Sequence, residues 1–234
     1  MKFVLFVEGH TEKKSIAPFL KRWLDPKLNQ PVRIQPVRFD GWAEMVKDMP
    51  NKTRRHLEGP ERDQIIAVVA LLDLYGPTIY PGHLTSSEER CRWAVEDLTR
   101  KVGQERFRMF FAVHEVEAWL LSRSDMFPRE IVNKFPGKVQ HPETVNFDIP
   151  PAKLLDNLYN QYLKRDYNKV VLGSNFFRSL DPDVVYQKCP HLPPPPCLLP
   201  PEPLHLHPGQ GDLRQPRLRR PYPPAPAVPL GRFW

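Results

Sequence analysis

The chain opens on an unbroken apolar run, Phe3-Val4-Leu5-Phe6-Val7, that meets Glu8, Gly9 and His10 without a polar alternation before them. Residues 2–7 (KFVLFV), a short stretch of this kind, suit a strand buried on both faces. Three further stretches read as strands. Residues 32–39 (VRIQPVRF) form the second, and Pro36, with no N–H to give a ladder, argues for a sheet edge. Residues 65–74 (IIAVVALLDL) are the strongest strand signal and carry Asp73 at their end. Residues 107–113 (FRMFFAV) run directly into HEVEAWLLS.

Between the strands the pattern turns helical. Thr11 is placed to cap a helix with Glu12 in its first turn, kinked by Pro18 and stopped by Asp25-Pro26. Residues 42–57 look helical, though weakened by Pro50. Residues 86–102 read as a capped helix, with Ser86 or Ser87 as the cap, acids early, and Arg100 and Lys101 late. A further helix is expected from about Pro151 to Lys164. Strands alternating with helices predict parallel βαβ units, hence one α/β domain over residues 1–188.

Composition changes this picture only at the end of the chain. Residues 190–234 hold 15 of the 29 prolines, no lysine, and only Glu202 and Asp212 as acids. Such a stretch buries too little apolar surface to fold, so residues 189–234 are expected to form a disordered Pro-rich tail. Pro193 to Pro196 would suit a polyproline II ligand. The abrupt shift to Pro, Leu, His and Arg after Cys189 better fits a GC-rich gene read out of frame, with the natural C-terminal helix lost. No apolar run is long enough to span a membrane, and the first residues lack a signal-peptide pattern. Cys91, Cys189 and Cys197 form no disulfide framework or metal-type pair. The expectation is a cytoplasmic protein with reduced thiols. The net charge of +7 permits an acidic partner such as nucleic acid. Residues 1–189 carry only 29 Lys and Arg against 25 Asp and Glu, so charge alone does not demand one.

The chemistry gathers where the strands end. The first ends at Glu8, the third at Asp73, and the fourth leads to Glu115 and Glu117. In an open parallel sheet the ligand crevice lies beyond the carboxyl ends of the strands, so these acids should share one edge. Crowded carboxylates repel unless a cation or protons intervene. Oxygen-rich sets suit Mg²⁺ or Mn²⁺. Glu8 is therefore read as a metal ligand, with Gly9 allowing close backbone approach; otherwise it is a solvated glutamate capping the following helix. Asp73 is a second ligand, or a turn-forming Asp before Tyr75-Gly76-Pro77. In HEVEAWLLS, helical spacing turns Glu117 inward among apolar neighbours, where it needs a metal or a salt bridge. Glu115 falls on another face and is expected in solvent. Glu12 is either a supporting ligand or a first-turn acid favoured by the helix dipole.

VEGHTE after a first strand, with an Asp ending a later one, resembles the Toprim fold of topoisomerases, primases and OLD-type nucleases. The broad Toprim pattern carries Asp-x-Asp after its third strand; here the stretch is Asp73-Leu74-Tyr75, so the second Asp is absent. DLYG, YPGH, HEVEAWLLS, HPETVNFDIPPAKLL, YNKVVLG and KCPH together resemble a bacterial Toprim-like group, domain-of-unknown-function family 4276, over nearly all of residues 1–191. The resemblance implies a Toprim-like (Rossmann-like), mostly parallel sheet flanked by helices. It implies metal held by Glu8, Glu12, Asp73 and Glu117, with Lys169 meeting a scissile phosphate beside Glu8 and Asp73. It further implies a Mg²⁺-dependent nuclease, a place in phage defence, or a non-catalytic partner of an AAA-type ATPase. His10, His83 and His114 flank the expected crevice, Tyr75 and Trp119 are expected to pack, and Arg54 and Arg55 read as a solvated helix face.

Overall fold

The computed structural model describes residues 1–144, 149–192 and 198. Its centre is a four-stranded sheet, wholly parallel, in the order β2-β1-β3-β4. The strands are β1 (Lys2–Val7), β2 (Arg33–Arg38), β3 (Ile65–Asp73) and β4 (Phe107–Ala112). Each lies inside its expected stretch. Pro36 sits in an edge strand, opposite Leu5, where its missing N–H faces no neighbour.

Every residue of β1 and β3 is buried because helices cover both faces. Phe3, Leu5, Val7, Val69 and Leu71 point to one side. There they meet α1 (His10–Leu24), α4 (Glu117–Leu121), α6 (Pro151–Leu163), α7 (Ser174–Ser179) and α8 (Pro182–Lys188). Between α4 and α6 lies the short α5 (Arg129–Val132). Val4, Phe6, Val68, Ala70 and Leu72 point the other way, onto α2 (Trp42–Glu58) and α3 (Ser87–Val102). The two-residue period of a strand therefore fills two separate cores from one sheet. On the first side Trp119 stacks on Phe19, with ring centroids 5.8 Å apart, so Trp119 packs as expected.

The helices also follow their local signals. Ser86 caps α3 through a reciprocal capping box with Glu89. Helix α2 runs straight through Pro50, because its buried face of Met45, Met49, Thr53 and Leu57 outweighs one lost backbone bond. Thr11 is not the cap of α1. Gly9 takes that place without a side-chain bond, and Thr11 is buried as the second residue of the helix. Arg54 and Arg55 lie in solvent, as expected. Packing continues past residue 188, since Cys189, Leu192 and Leu198 belong to the first core. Cys91 and Cys189 are free thiols. No described helix is long and apolar enough to cross a membrane. The expected tail lies, apart from its first residues and Leu198, outside the described residues.

Candidate functional site

The carboxyl ends of β1, β3 and β4 are stitched together by acids. The β1–β3 ladder stops after Phe6 pairs with Ala70. Beyond it Glu8 Oε1 accepts from the backbone N–H of Asp73, 3.0 Å away. Asp73 Oδ1 in turn accepts from the N–H of Val116, 3.1 Å away, in the residues leading from β4 to α4. Each carboxylate thus satisfies a backbone donor on the next strand end across the sheet. The alternation of β3 sets Asp73 on the same side as Val69 and Leu71, which is the side of α1.

Two further acids and a lysine complete the cluster. Glu117, the first residue of α4, has no exposed surface, and Glu12 on α1 is 4% exposed. Lys169 opens a π-helical turn, Lys169–Gly173, that packs on α1 and precedes α7. Its Nζ lies 3.1 Å from Glu117 Oε2 and 3.6 Å from Glu12 Oε1. Single π-turns of this kind commonly occur at functional positions. Apart from Lys169, neither oxygen of Glu117 has a hydrogen-bond donor among the described residues.

The charges are out of balance. Burial drives the Asp73 carboxyl well above the ordinary range, and Glu8, Glu12 and Glu117 push it further. Burial also raises Glu8 and takes Glu117 to about 7, against the pull of Lys169. Burial disfavours the Lys169 ammonium, yet Glu117, Asp73 and Glu12 outweigh it and hold its pKa above that of an ordinary lysine. One ammonium thus faces more buried acid than it can neutralise. A carboxyl whose native pKa is raised binds its proton more tightly in the folded state. The resulting stabilisation is full below the unfolded value of 4.5 and is lost as pH rises to about 7. Measured against Glu117→Gln by urea denaturation, the parent should lose on the order of 2–4 kcal/mol between pH 4.5 and 7.5. A constant difference between the two proteins would show that Glu117 does not titrate in that window.

Gly9 is needed for the position of Glu12. A β-carbon at residue 9 would collide with the Glu12 carboxylate, which folds back over the glycine. Gly9→Ala should cost at most about 1 kcal/mol, because the atoms it meets are the far end of the Glu12 side chain, which must swing aside. The same change made in a Glu12→Ala background should cost almost nothing. Equal losses in both backgrounds would place the strain elsewhere.

The structure therefore brings Glu8, Glu12, Asp73, Glu117 and Lys169 into one cluster. Several other expectations need correction. Glu115 is not a solvated acid: its Oε2 accepts from the N–H of Ala152, 2.9 Å away, in the first turn of α6. Tyr75 does not pack but is 45% exposed. His10, just past the end of β1, and His83, in the loop between β3 and α3, are exposed, whereas His114 is buried. His114 adopts a left-handed backbone (φ 66°), and its Nε2 lies 2.9 Å from the carbonyl of Glu143. Sequence reading missed Tyr167, whose buried hydroxyl stands against Gly173 in the same turn region and has no partner among the described residues. It opens the YNKVVLG stretch, yet no periodicity marks its ring as part of the site.

By type and charge, this donor set fits a hard divalent cation: carboxylate oxygens in surplus, several of them buried. Among the described residues, however, no three acidic, histidine or cysteine side chains stand close enough to grip one ion together. Lys169 bridges Glu12 and Glu117 instead.

Fold and site define a three-layer α/β protein with a buried carboxylate–lysine cluster at the carboxyl edge of a parallel sheet. The chain belongs to the family described as domain of unknown function (DUF4276), whose model matches residues 7–193. No curated protein matches the chain. Solved structures similar to it include the C-terminal region of the Burkholderia pseudomallei OLD protein. That likeness has a TM-score of 0.41 and 18% identity, covering 78% of this chain and 90% of that one. The C-terminal region of the Xanthomonas campestris pv. campestris OLD protein aligns with a TM-score of 0.39 and 16% identity, over 81% of this chain and 93% of that one.

Proposed function

We propose that the crevice beyond β1, β3 and β4 is the active site of a Toprim-like phosphodiester hydrolase that acts on nucleic acid with Mg²⁺ or Mn²⁺. One observation carries the reading: four acids from separate segments gather around a single lysine that pairs with two of them, so the buried site holds more carboxyl groups than its one ammonium can neutralise. Glu8, Asp73 and Glu117 would hold the cation, with Glu12 in support, which requires these acids to draw closer together and Lys169 to give up Glu12 and Glu117. A bound cation would polarise the phosphate and ease deprotonation of water. Glu8 and Asp73 are held in place by the backbone bonds they accept, which preorganises their free oxygens. Lys169, a third exposed, is the group able to turn from the carboxylates toward a phosphate. The phage-defence setting implied by the family resemblance belongs to the same reading.

The test is calorimetry on the full chain with Mg²⁺ and Mn²⁺, followed by cleavage assays on single- and double-stranded DNA and RNA. Saturable binding with metal-dependent cleavage is expected. A folded protein that neither binds metal nor cleaves any of the four would overturn the reading. A second reading is favoured by Tyr75. It stands where the broad Toprim pattern has its second acid, and it offers no carboxylate to a metal. On that reading the chain is a non-catalytic subunit engaged by an AAA-type ATPase, and a co-expressed ATPase should co-purify with it whether or not Glu8 is intact.

A further inference from the structure

We infer that Tyr75 is a base-stacking platform at the rim of the acid cluster, and that the crevice takes single-stranded nucleic acid rather than duplex. The inference rests on the reading of the cluster as a nucleic-acid site. Large aromatic rings are normally drawn inward, yet Tyr75 leaves 45% of its surface in solvent. It is not exposed because its segment is loose. Its N–H donates to the carbonyl of His114, 3.0 Å away, and Leu74 N–H donates to Ala112 at 2.9 Å. Leu74 itself is buried, and its carbonyl accepts the Tyr80 hydroxyl at 3.0 Å. Gly76 then turns the chain with φ 108°, which a side chain at that position would resist. The backbone is fixed and the ring is presented outward.

Its location joins it to the cluster. Tyr75 is two residues from Asp73, so their Cα atoms lie within about 7 Å. The carbonyl that anchors it belongs to His114, in the same connection that supplies Val116 to Asp73 and Glu117 to Lys169. A second segment of the site is also apolar on its outside: Val170 and Val171, next to Lys169, are 42% and 50% exposed. A duplex keeps its base faces stacked inside and turns its phosphate backbone outward, which would call for cations at these positions. Unpaired bases offer flat apolar faces, which an aromatic ring and two valines suit. The exposed Lys13 and Lys14, in the first turns of α1 beyond Glu12, supply charge for the backbone of the same strand.

The experiment is fluorescence polarisation with the full chain and labelled 12-mers of deoxythymidine, of uridine, of an abasic strand and of a duplex. It is run in EDTA and with Ca²⁺ on the parent, Tyr75→Ala and Tyr75→Trp. Tyr75→Ala should weaken single-strand binding about 5- to 100-fold, the range that loss of one stacked base gives. Tyr75→Trp should restore it, and the abasic strand should bind the parent and Tyr75→Ala alike. The deoxythymidine and uridine arms show which sugar is taken. If the parent binds nucleic acid and Tyr75→Ala binds equally well, or loses duplex and single strand together, the platform is wrong while the site reading stands. If the parent binds none of the probes, the nucleic-acid reading falls and takes the platform with it. A protein partner on this rim would belong to that second outcome.

Discussion

Replacing Lys169 by methionine should destabilise the protein by about 2–3 kcal/mol at pH 8 and by far less at pH 5. Methionine keeps an unbranched stem and removes only the ammonium. That ammonium is the partner of Glu117, which has no exposed surface and no other donor among the described residues. Removing one member of a buried ion pair typically costs about 3–5 kcal/mol, because the other charge is left uncompensated. The figure is reduced here because Lys169 keeps 34% of its side chain in solvent, where water already screens it. Acid pH relieves the loss in a definite direction. Glu117 already has a pKa near 7 with the lysine present, and without it the carboxyl takes up its proton still more readily. Urea denaturation of both proteins at the two pH values measures this. An equal loss at pH 5 and pH 8 would mean that the lysine stem acts by packing. The double variant with Glu117→Gln should recover most of the stability, since the two changes share one interaction.

The cluster was legible in the sequence to the extent that strand alternation and strand ends determine it. An apolar run that stops at an acid places that acid at the sheet edge whatever else happens, so Glu8 and Asp73 were readable. Helical spacing was enough to turn Glu117 inward. Lys169 was different. It follows α6 and enters the site only because a single π-turn folds back onto α1, and no local pattern specifies that packing. Its role came from family resemblance, and the structure gives it two carboxylate partners. Glu115 was misread because helical periodicity was extended back past Val116, where the chain is still leaving β4 and His114 has a positive φ. Tyr75 was misread because apolar bulk ordinarily predicts burial. Thr11 lost its capping role because the helix already begins at His10, with Gly9 at the cap position.

Asp73→Asn should abolish metal binding and hydrolysis while leaving the folded state at least as stable as the parent. Asparagine retains an oxygen where Asp73 Oδ1 accepts the Val116 N–H, so the link between β3 and α4 survives. The change removes a group whose ionisation is opposed by burial and by Glu8, Glu12 and Glu117. Relief of that repulsion should add about 1 kcal/mol at pH 8, read as a higher urea midpoint. Cation affinity should fall by more than about 100-fold, since changes behind a metal's ligands alone cost 10- to 100-fold. Calorimetry with Mn²⁺ and a cleavage assay read the other half of the prediction. The two readouts moving in opposite directions would mark a residue retained for chemistry against the interest of the fold. Loss of both would instead make Asp73 a structural clamp between strand ends. Full retention of metal binding would remove it from the ligand set and leave Glu8 and Glu117 to account for the site.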